Sequence, residues 1–392
     1  MKQTIIILLV VVLSSRLYGQ STIDNILRDI ESNNTTLQAF EQQTEAQKLD
    51  NRTDIYLPNP EVGFGYLWGS PASTGKRTDF SVTQSFDFPT AYAHKSRIAD
   101  NRNNIADYEY ERLRKDILLQ AGVVCINLVY CNELKTELNK RLQHAQNIAS
   151  AWQERFTLGD ADIIERNKAR LNLLNARKAL EANEIERIAL LSELQRLNGG
   201  LSITFNDEMY PEYVIPENFE QWYESIRGNN PELQIANREI EVSRQQIKLS
   251  RAMNLPKLST GYMSENILGT TLQGVTVGVS IPLWENKNSI RQAKAQAIAR
   301  QEFEADIQVQ LYNRLKAQHT KATSLQALAE DYRKALQTSD NADLLKKALD
   351  SGQLSLINYI MELTVYYDAV ENMLQAERDG QLAVMELRSV MI

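Results

Sequence analysis

The sequence predicts a mixed α+β membrane protein, with four short barrel strands and long antiparallel coiled-coil helices in each subunit. Three observations carry that prediction. Residues 33–197 and 229–390 repeat one order of landmarks, four segments alternate apolar and polar residues with a period of two, and helical periodicity twice continues for more than sixty residues. The landmarks pair Asn33-Asn34 with Asn229-Asn230, Leu57-Pro58 with Leu255-Pro256, Gln84-Ser85-Phe86 with Val279-Ser280-Ile281, and Leu158-Gly159-Asp160 with Ser351-Gly352-Gln353, at offsets of 196, 198, 195 and 193 residues. One duplication with small loop adjustments accounts for all four. The expected organisation is a signal peptide over 1–19, a first repeat over 20–197, a connector over 198–228 and a second repeat over 229–392.

At the amino terminus, Lys2 precedes the apolar run Ile5 to Leu13, and Tyr18-Gly19 stands before Gln20. That is the charge, apolar core and small-residue order of a secretory signal, and the run is too short to span a bilayer. The bland reading is a buried N-terminal strand. No cysteine follows the run to accept a lipid. Loss of Lys2 and Arg16 with the signal leaves 41 basic and 50 acidic residues, a net charge of −9. Nucleic acid is excluded as a partner, because phosphate contacts need a basic surface. Cys125 and Cys131 lie six apart on one expected helix, displaced by roughly 9 Å along its axis and on different faces, so they read as buried hydrophobes rather than a disulfide. No later apolar stretch approaches twenty residues, so any membrane passage falls to the strands of a closed barrel.

The strands come next, in each copy, after a helix and a Leu-Pro pair. Val62, Phe64, Tyr66 and Trp68 share one face against Gly63, Gly65 and Leu67. In the partner segment Phe80, Val82, Phe86 and Phe88 oppose Ser81, Thr83, Ser85 and Asp87, with Gln84 as the exception. Leu258, Thr260 and Tyr262 oppose Ser259, Gly261 and Met263, and Val275, Val277, Val279 and Ile281 oppose Thr276, Gly278 and Ser280. The barrel strands are thus expected at about 61–88 and about 258–282. A soluble sheet also alternates. Export, small residues on the polar face, and aromatics near strand ends (Tyr56, Trp68, Phe86, Phe88, Trp284) favour a barrel with aromatic girdles. Four strands cannot close one, and open edges in lipid are costly, so several copies must share it.

Long helices follow each strand pair, from about Tyr92 to Arg155 and from about Lys287 to Leu349, roughly 90 to 100 Å each at 1.5 Å per residue. Ala322, Leu325, Ala329, Tyr332 and Leu336 recur at three and four, and Leu356, Ile360, Leu363, Tyr367, Val370 and Leu374 keep that rhythm after the glycine turn. Such seams predict antiparallel packing across each turn. The charged faces by themselves mean only solvation. Residues 198–228, with Gly199-Gly200, Pro211 and Pro216, read as a connector and small side element.

Taken together these residues resemble the TolC-type outer-membrane efflux channels of Gram-negative bacteria. The resemblance spans nearly the whole chain and rests on Asn229-Asn230-Pro231-Glu232-Leu233, Leu57-Pro58-Asn59-Pro60, Val279-Ser280-Ile281-Pro282-Leu283-Trp284 and the turns around Gly159 and Gly352. It implies a homotrimer whose twelve strands form one barrel in outer-membrane lipid and whose twelve long helices form a periplasmic tunnel. It implies further that the turns at 157–161 and 350–355 (Leu158, Gly159, Asp160; Ser351, Gly352, Gln353, Leu354, Ser355) form the tip that meets a periplasmic adaptor, itself linked to an inner-membrane RND or ABC transporter. Ordinary left-handed helix termination also accounts for the two glycines. In drug-exporting members, acidic residues shortly after the tip glycine narrow the pore. Glu165 matches that chemistry, whereas Asn358 and Met361 stand in the second copy with Glu362 adjacent, a weaker acidic ring. The compact length and Ser85-Phe86-Asp87-Phe88-Pro89 resemble heavy-metal exporter subunits.

The functional expectation is a passive duct between that adaptor and the exterior. His94, His144 and His319 lie on separate helical regions without a metal-ligand motif, no phosphate-cradling loop is present, and no acid, base or nucleophile cluster suggests an enzyme or a cofactor. The alternative is a secreted helical scaffold or adhesion protein with a soluble β-domain.

Overall fold

A computed structural model describes residues 22–338 and 342–391. The expected signal peptide lies outside them. In chain order the elements are α1 (Thr22–Asn33), α2 (Thr35–Asp50), β1 (Glu61–Trp68), β2 (Lys76–Phe86), α3 (Pro89–Leu158), α4 (Ile163–Leu197), α5 (Phe219–Arg227), α6 (Pro231–Ala252), β3 (Lys257–Ile267), β4 (Thr270–Ser280), α7 (Ser289–Thr338), α8 (Ala342–Asp350) and α9 (Leu356–Ser389). Two compact units draw on both halves of the sequence. One comprises the described residues up to Leu37, Leu113–Ile226 and the described residues from Tyr312 onward; the other comprises Gln38–Arg112 and Arg227–Leu311.

The Asn-Asn pairs mark helix starts. The Asn34 side chain accepts a hydrogen bond from the Leu37 N–H at 2.9 Å, while its amide donates to the Leu197 carbonyl at 2.7 Å, so one buried residue serves the start of α2 and the end of α4. Asn230 repeats the first function, accepting from the N–H groups of Glu232 and Leu233 ahead of Pro231. Asparagine suits both positions because its short side-chain oxygen satisfies donors that lack helical partners.

Within the first unit, α1 inserts Ile23, Ile26, Leu27 and Ile30 against Ile117, Leu118, Ala121, Cys125 and Leu128 of α3, with Leu194 and Leu197 of α4 and Met385 of α9 completing the cluster. The connector contributes Phe205, 1% exposed. A second cluster joins Ile148, Ala149 and Trp152 of α3, Ala169 of α4, Leu349 of α8, and Leu356, Tyr359 and Leu363 of α9. The seam reading holds for these helices: Ala322, Ala329, Leu356, Leu363 and Leu374 are buried. Both cysteines are free and buried, and burial pushes the Cys125 thiol up to about 12 and Cys131 to about 11.

Two boundaries correct the sequence reading. Phe88 lies beyond β2, because Pro89 opens α3 and draws Phe88 into the turn, where its carbonyl accepts from the Ala91 N–H. Ile281 lies beyond β4, since Pro282 has no N–H for a ladder. The expected helix over Lys287–Leu349 is described as α7 and α8, with residues 339–341 outside the described set. A third correction concerns hydropathy: α3 does contain an eighteen-residue window of mean hydropathy 1.5, long and apolar enough by composition to cross a membrane. It is 67% buried within the fold, because it supplies the central strip of the helical core.

The second unit holds one antiparallel sheet in the order β1-β2-β3-β4. The β1–β2 and β3–β4 pairs are hairpins, β2 and β3 pair antiparallel although the helices α3 to α6 separate them in the chain, and no further strand pairs with β1 or β4 among the described residues.

Candidate functional site

Register places the four alternating patterns on a common face. Val62 opposes Val82, Val82 opposes Tyr262, and Tyr262 opposes Val275, giving an apolar row across all four strands. Phe64 pairs with Phe80, and Phe86, Leu258 and Val279 form another row. Much of this face is uncovered: Phe64 is 72% exposed, Trp68 76%, and Val275 and Val277 79%, while Val82, Phe86 and Leu258 are half-buried. Gln84, the exception in the pattern, sits among them with its amide donating to the Pro58 and Ser85 carbonyls. An apolar face of this extent is unstable in water and suited to lipid. The opposite face carries Gly63, Ser81, Met263 and Gly274 in one row and Ser85, Ser259 and Gly278 in another.

The two helical turns in the first unit share one backbone design. At the end of α3, Asp160 donates its N–H to the Arg155 carbonyl at 2.8 Å and Gly159 to Phe156 at 3.2 Å; at the end of α8, Gln353 donates to Ala348 at 2.9 Å and Gly352 to Leu349 at 3.1 Å. This six-to-one and five-to-two pairing needs a left-handed residue, and Gly159 and Gly352 have φ of +87° and +73°. Ala161 and Leu354, one beside each turn, pack on the same cluster around Trp152 and Tyr359. Leu158, 70% exposed, and the exposed Asp160, Ser351 and Gln353 project from it.

Beyond the turns the two copies differ. Asp162 caps α4 by accepting from the Glu165 N–H at 2.8 Å, while the Glu165 carboxylate accepts from the Asp162 N–H at 3.4 Å. Ser355 caps α9 through a single 3.3 Å bond from the Asn358 N–H. Asn358, Met361 and Glu362 are exposed, Met361 at 62%. No hydrogen bond or ion pair joins Glu165 to these three among the described residues. Arg166 adds a cation–π contact over Phe156, 4.2 Å from the ring centroid.

The three histidines have unrelated partners. His94 Nδ1 meets the Gln245 side chain at 3.2 Å, His144 Nδ1 the Tyr367 hydroxyl at 2.9 Å, and His319 Nε2 the Pro216 carbonyl at 2.6 Å beside the Phe219 ring. No grouping of three or more His, Cys, Asp or Glu fit to hold a metal occurs among the described residues.

Two features escaped the sequence reading. On the small-residue face of the sheet, Arg77 bridges Asp79 at 2.8 Å and Glu265 at 2.5 Å. In the first unit a cavity of about 710 Å³ is lined by Glu133, Glu208, Tyr210, Arg333 and Glu377. Arg333 pairs with Glu377, and burial together with the Glu377 charge raises Glu133 to about 7. Charge alternation within β2 signals the first, since Arg77 and Asp79 share strand parity; nothing local signals the second.

Comparison with known proteins agrees with this architecture. No family model matches the chain. The alkaline protease secretion protein AprF of Pseudomonas aeruginosa is 25% identical over 366 residues, 83% of this chain and 74% of AprF. CusC, a protein that forms a transmembrane channel, superposes with a TM-score of 0.80 at 13% identity over 96% of this chain and 95% of its own. The outer membrane channel CmeC of Campylobacter jejuni superposes with a TM-score of 0.77 at 14% identity, covering 94% and 85%. The chain thus has the fold of the TolC-type outer-membrane channels that its sequence resembles.

Proposed function

We propose that this chain is the outer-membrane channel of a tripartite efflux or secretion system, conducting substrates passively from the periplasm to the exterior. The observation that carries the reading is the sheet: four strands, both edges without a strand partner among the described residues, and one face rich in exposed apolar side chains. Membrane barrels need at least eight strands, and unpaired edges in lipid leave backbone groups unsatisfied. Three copies supply twelve strands and close the pore, with outer-membrane lipid around it and the α3–α4 and α7–α9 hairpins walling a periplasmic tunnel. The likeness to CusC and CmeC and the similarity to a secretion protein support this over a secreted scaffold with a soluble β-domain, which would leave Phe64, Trp68, Val275 and Val277 in water.

In this reading the Gly159 and Gly352 turns dock on a periplasmic adaptor coupled to an inner-membrane RND or ABC transporter, which provides the energy. Leu158, Asp160, Ser351, Gln353, Leu354 and Ser355 supply the contact surface. Glu165 leads a mixed constriction with Asn358, Met361 and Glu362, its carboxylate shared between the helix cap and the lumen. The test is extraction and reconstitution. Detergent-dependent, heat-modifiable trimers that conduct ions in planar bilayers are expected; a soluble monomer recovered from the periplasm would sink the proposal. For the constriction, Glu165→Gln should weaken divalent block, and unchanged block and selectivity would remove Glu165 from that role.

A further inference from the structure

We propose that Arg77 sets the ion selectivity of the external mouth of the pore by neutralising one of two carboxylates, Asp79 and Glu265, that face the lumen; this rests on the channel reading above. Phe80 and Val82 lie on the apolar face with Phe64 and Val62, so strand alternation puts Arg77, Asp79 and Ser81 on the other. The β2–β3 register sets Asp79 directly opposite Glu265, and the Arg77 guanidinium closes the gap, with Nε on Asp79 and Nη2 on Glu265. All three side chains retain solvent exposure, with Arg77 the most open at 47%.

The neighbourhood isolates this triad. Across β1, Asp79 faces Gly65, where an added Cβ would sit 3.5 Å from the Asp79 Cβ, so the carboxylate is left uncovered on that side. Toward the middle of the sheet the same face holds Gly63, Ser81, Met263, Gly261, Gly274, Thr276 and Gly278, all uncharged and, Met263 apart, small. Charges return only near the strand ends that lead to helices, with Glu61, Asp87 held by Lys95, and Lys257 held by Glu285. The triad lies at the opposite end, beside the hairpin turns at 69–75 and 268–269, which in a barrel entered from the helices is the external mouth.

Each copy therefore presents one cation against two anions, a net charge of −1, and three copies present −3 in a ring. Fixed charges in a narrow lumen with low-dielectric walls concentrate counterions, and this field acts within a Debye length of about 10 Å at 0.1 M salt. Removing Arg77 doubles the ring charge to −6; neutralising both carboxylates inverts it to +3. The arginine is thus the specificity-determining residue, and its two acidic partners hold it across the β2–β3 seam.

The test measures reversal potentials of the purified full-length channel in planar bilayers under a KCl gradient at low ionic strength, with Mg²⁺ added to each side in turn. Expected are a several-fold rise in the K⁺/Cl⁻ permeability ratio for Arg77→Gln, with new Mg²⁺ block from the hairpin-turn side, a wild-type ratio for Arg77→Lys, and anion preference for Asp79→Asn/Glu265→Gln. Glu265→Gln alone should abolish the cation preference, which keeps the proposal testable if Arg77→Gln fails to assemble. Equal ratios across conducting variants would overturn it. Absence of wild-type trimers and conductance would instead overturn the channel reading itself.

Discussion

The two glycine turns of the first unit have the same backbone and different chemistry. Gly159 and Gly352 end α3 and α8 with matching hydrogen bonds, and Ala161 and Leu354 rest on one apolar cluster. The following caps differ: Asp162 and Glu165 form a reciprocal, doubly acidic box, while Ser355 offers one long, neutral bond to Asn358. The difference separates two constraints. Chain reversal fixes the left-handed glycine and the buried cluster, whereas the first turn of the next helix needs only an acceptor and leaves its charge free to vary.

That separation can be broken at its shared base. Trp152→Ala removes the largest side chain of the common cluster and should cost about 3–5 kcal/mol. Amide hydrogen exchange should accelerate in both turns together; acceleration in one alone would show that the cluster does not couple them. A smaller and equal effect is expected at the glycines. Open space surrounds both, so Gly159→Val and Gly352→Val each cost roughly 1–2 kcal/mol through φ rather than clash, and unequal losses would contradict a common backbone design.

The caps should distinguish the copies. Asp162→Ala is expected to destabilise the start of α4 by about 1 kcal/mol, more than Ser355→Ala destabilises α9, because a short bond to a charged acceptor and a favourable charge at a helix N-terminus are lost. Local exchange measured at rising salt should narrow the gap; an unchanged gap would assign the difference to hydrogen bonding alone.

A pH-dependent effect lies outside the turns. Burial raises Glu133 from 4.5 to about 7, with Glu377 raised in the same sense and Glu208, Tyr210 and Arg333 facing it. Between these two values the folded chain holds a proton that the unfolded chain has released, so stability falls as pH rises from 4.5 to 7 and levels off above. Denaturant midpoints across this range should lose part of that slope in Glu133→Gln; an unchanged slope would place the titration elsewhere.

Much of this was readable beforehand because it rests on periodicity. Period-two alternation located the strands, since each residue's face follows from its parity alone, and the three-four rhythm located Ala322, Ala329, Leu356, Leu363 and Leu374 in the helical core. Other features were not readable. α1 and α5, short helices ahead of each Asn-Asn pair, declare themselves through burial, as Ile23, Ile26 and Ile30 do against α3. The eighteen-residue apolar window in α3 was underestimated because interspersed Gln120 and Asn127 break its continuity without removing its core role.

Sequence by itself determined which residues form strands and helices, where chains reverse at Gly159 and Gly352, and which strand face is apolar, because each depends on neighbours a few positions apart. Tertiary structure alone decided strand register, and with it the union of Arg77 and Asp79 with Glu265, some 190 residues away. It also decided that Glu165 closes a helix cap and that Glu133 meets Glu377 and Arg333 in one cavity. Such charges are placed by the packing of elements distant in the chain, and no local period encodes that.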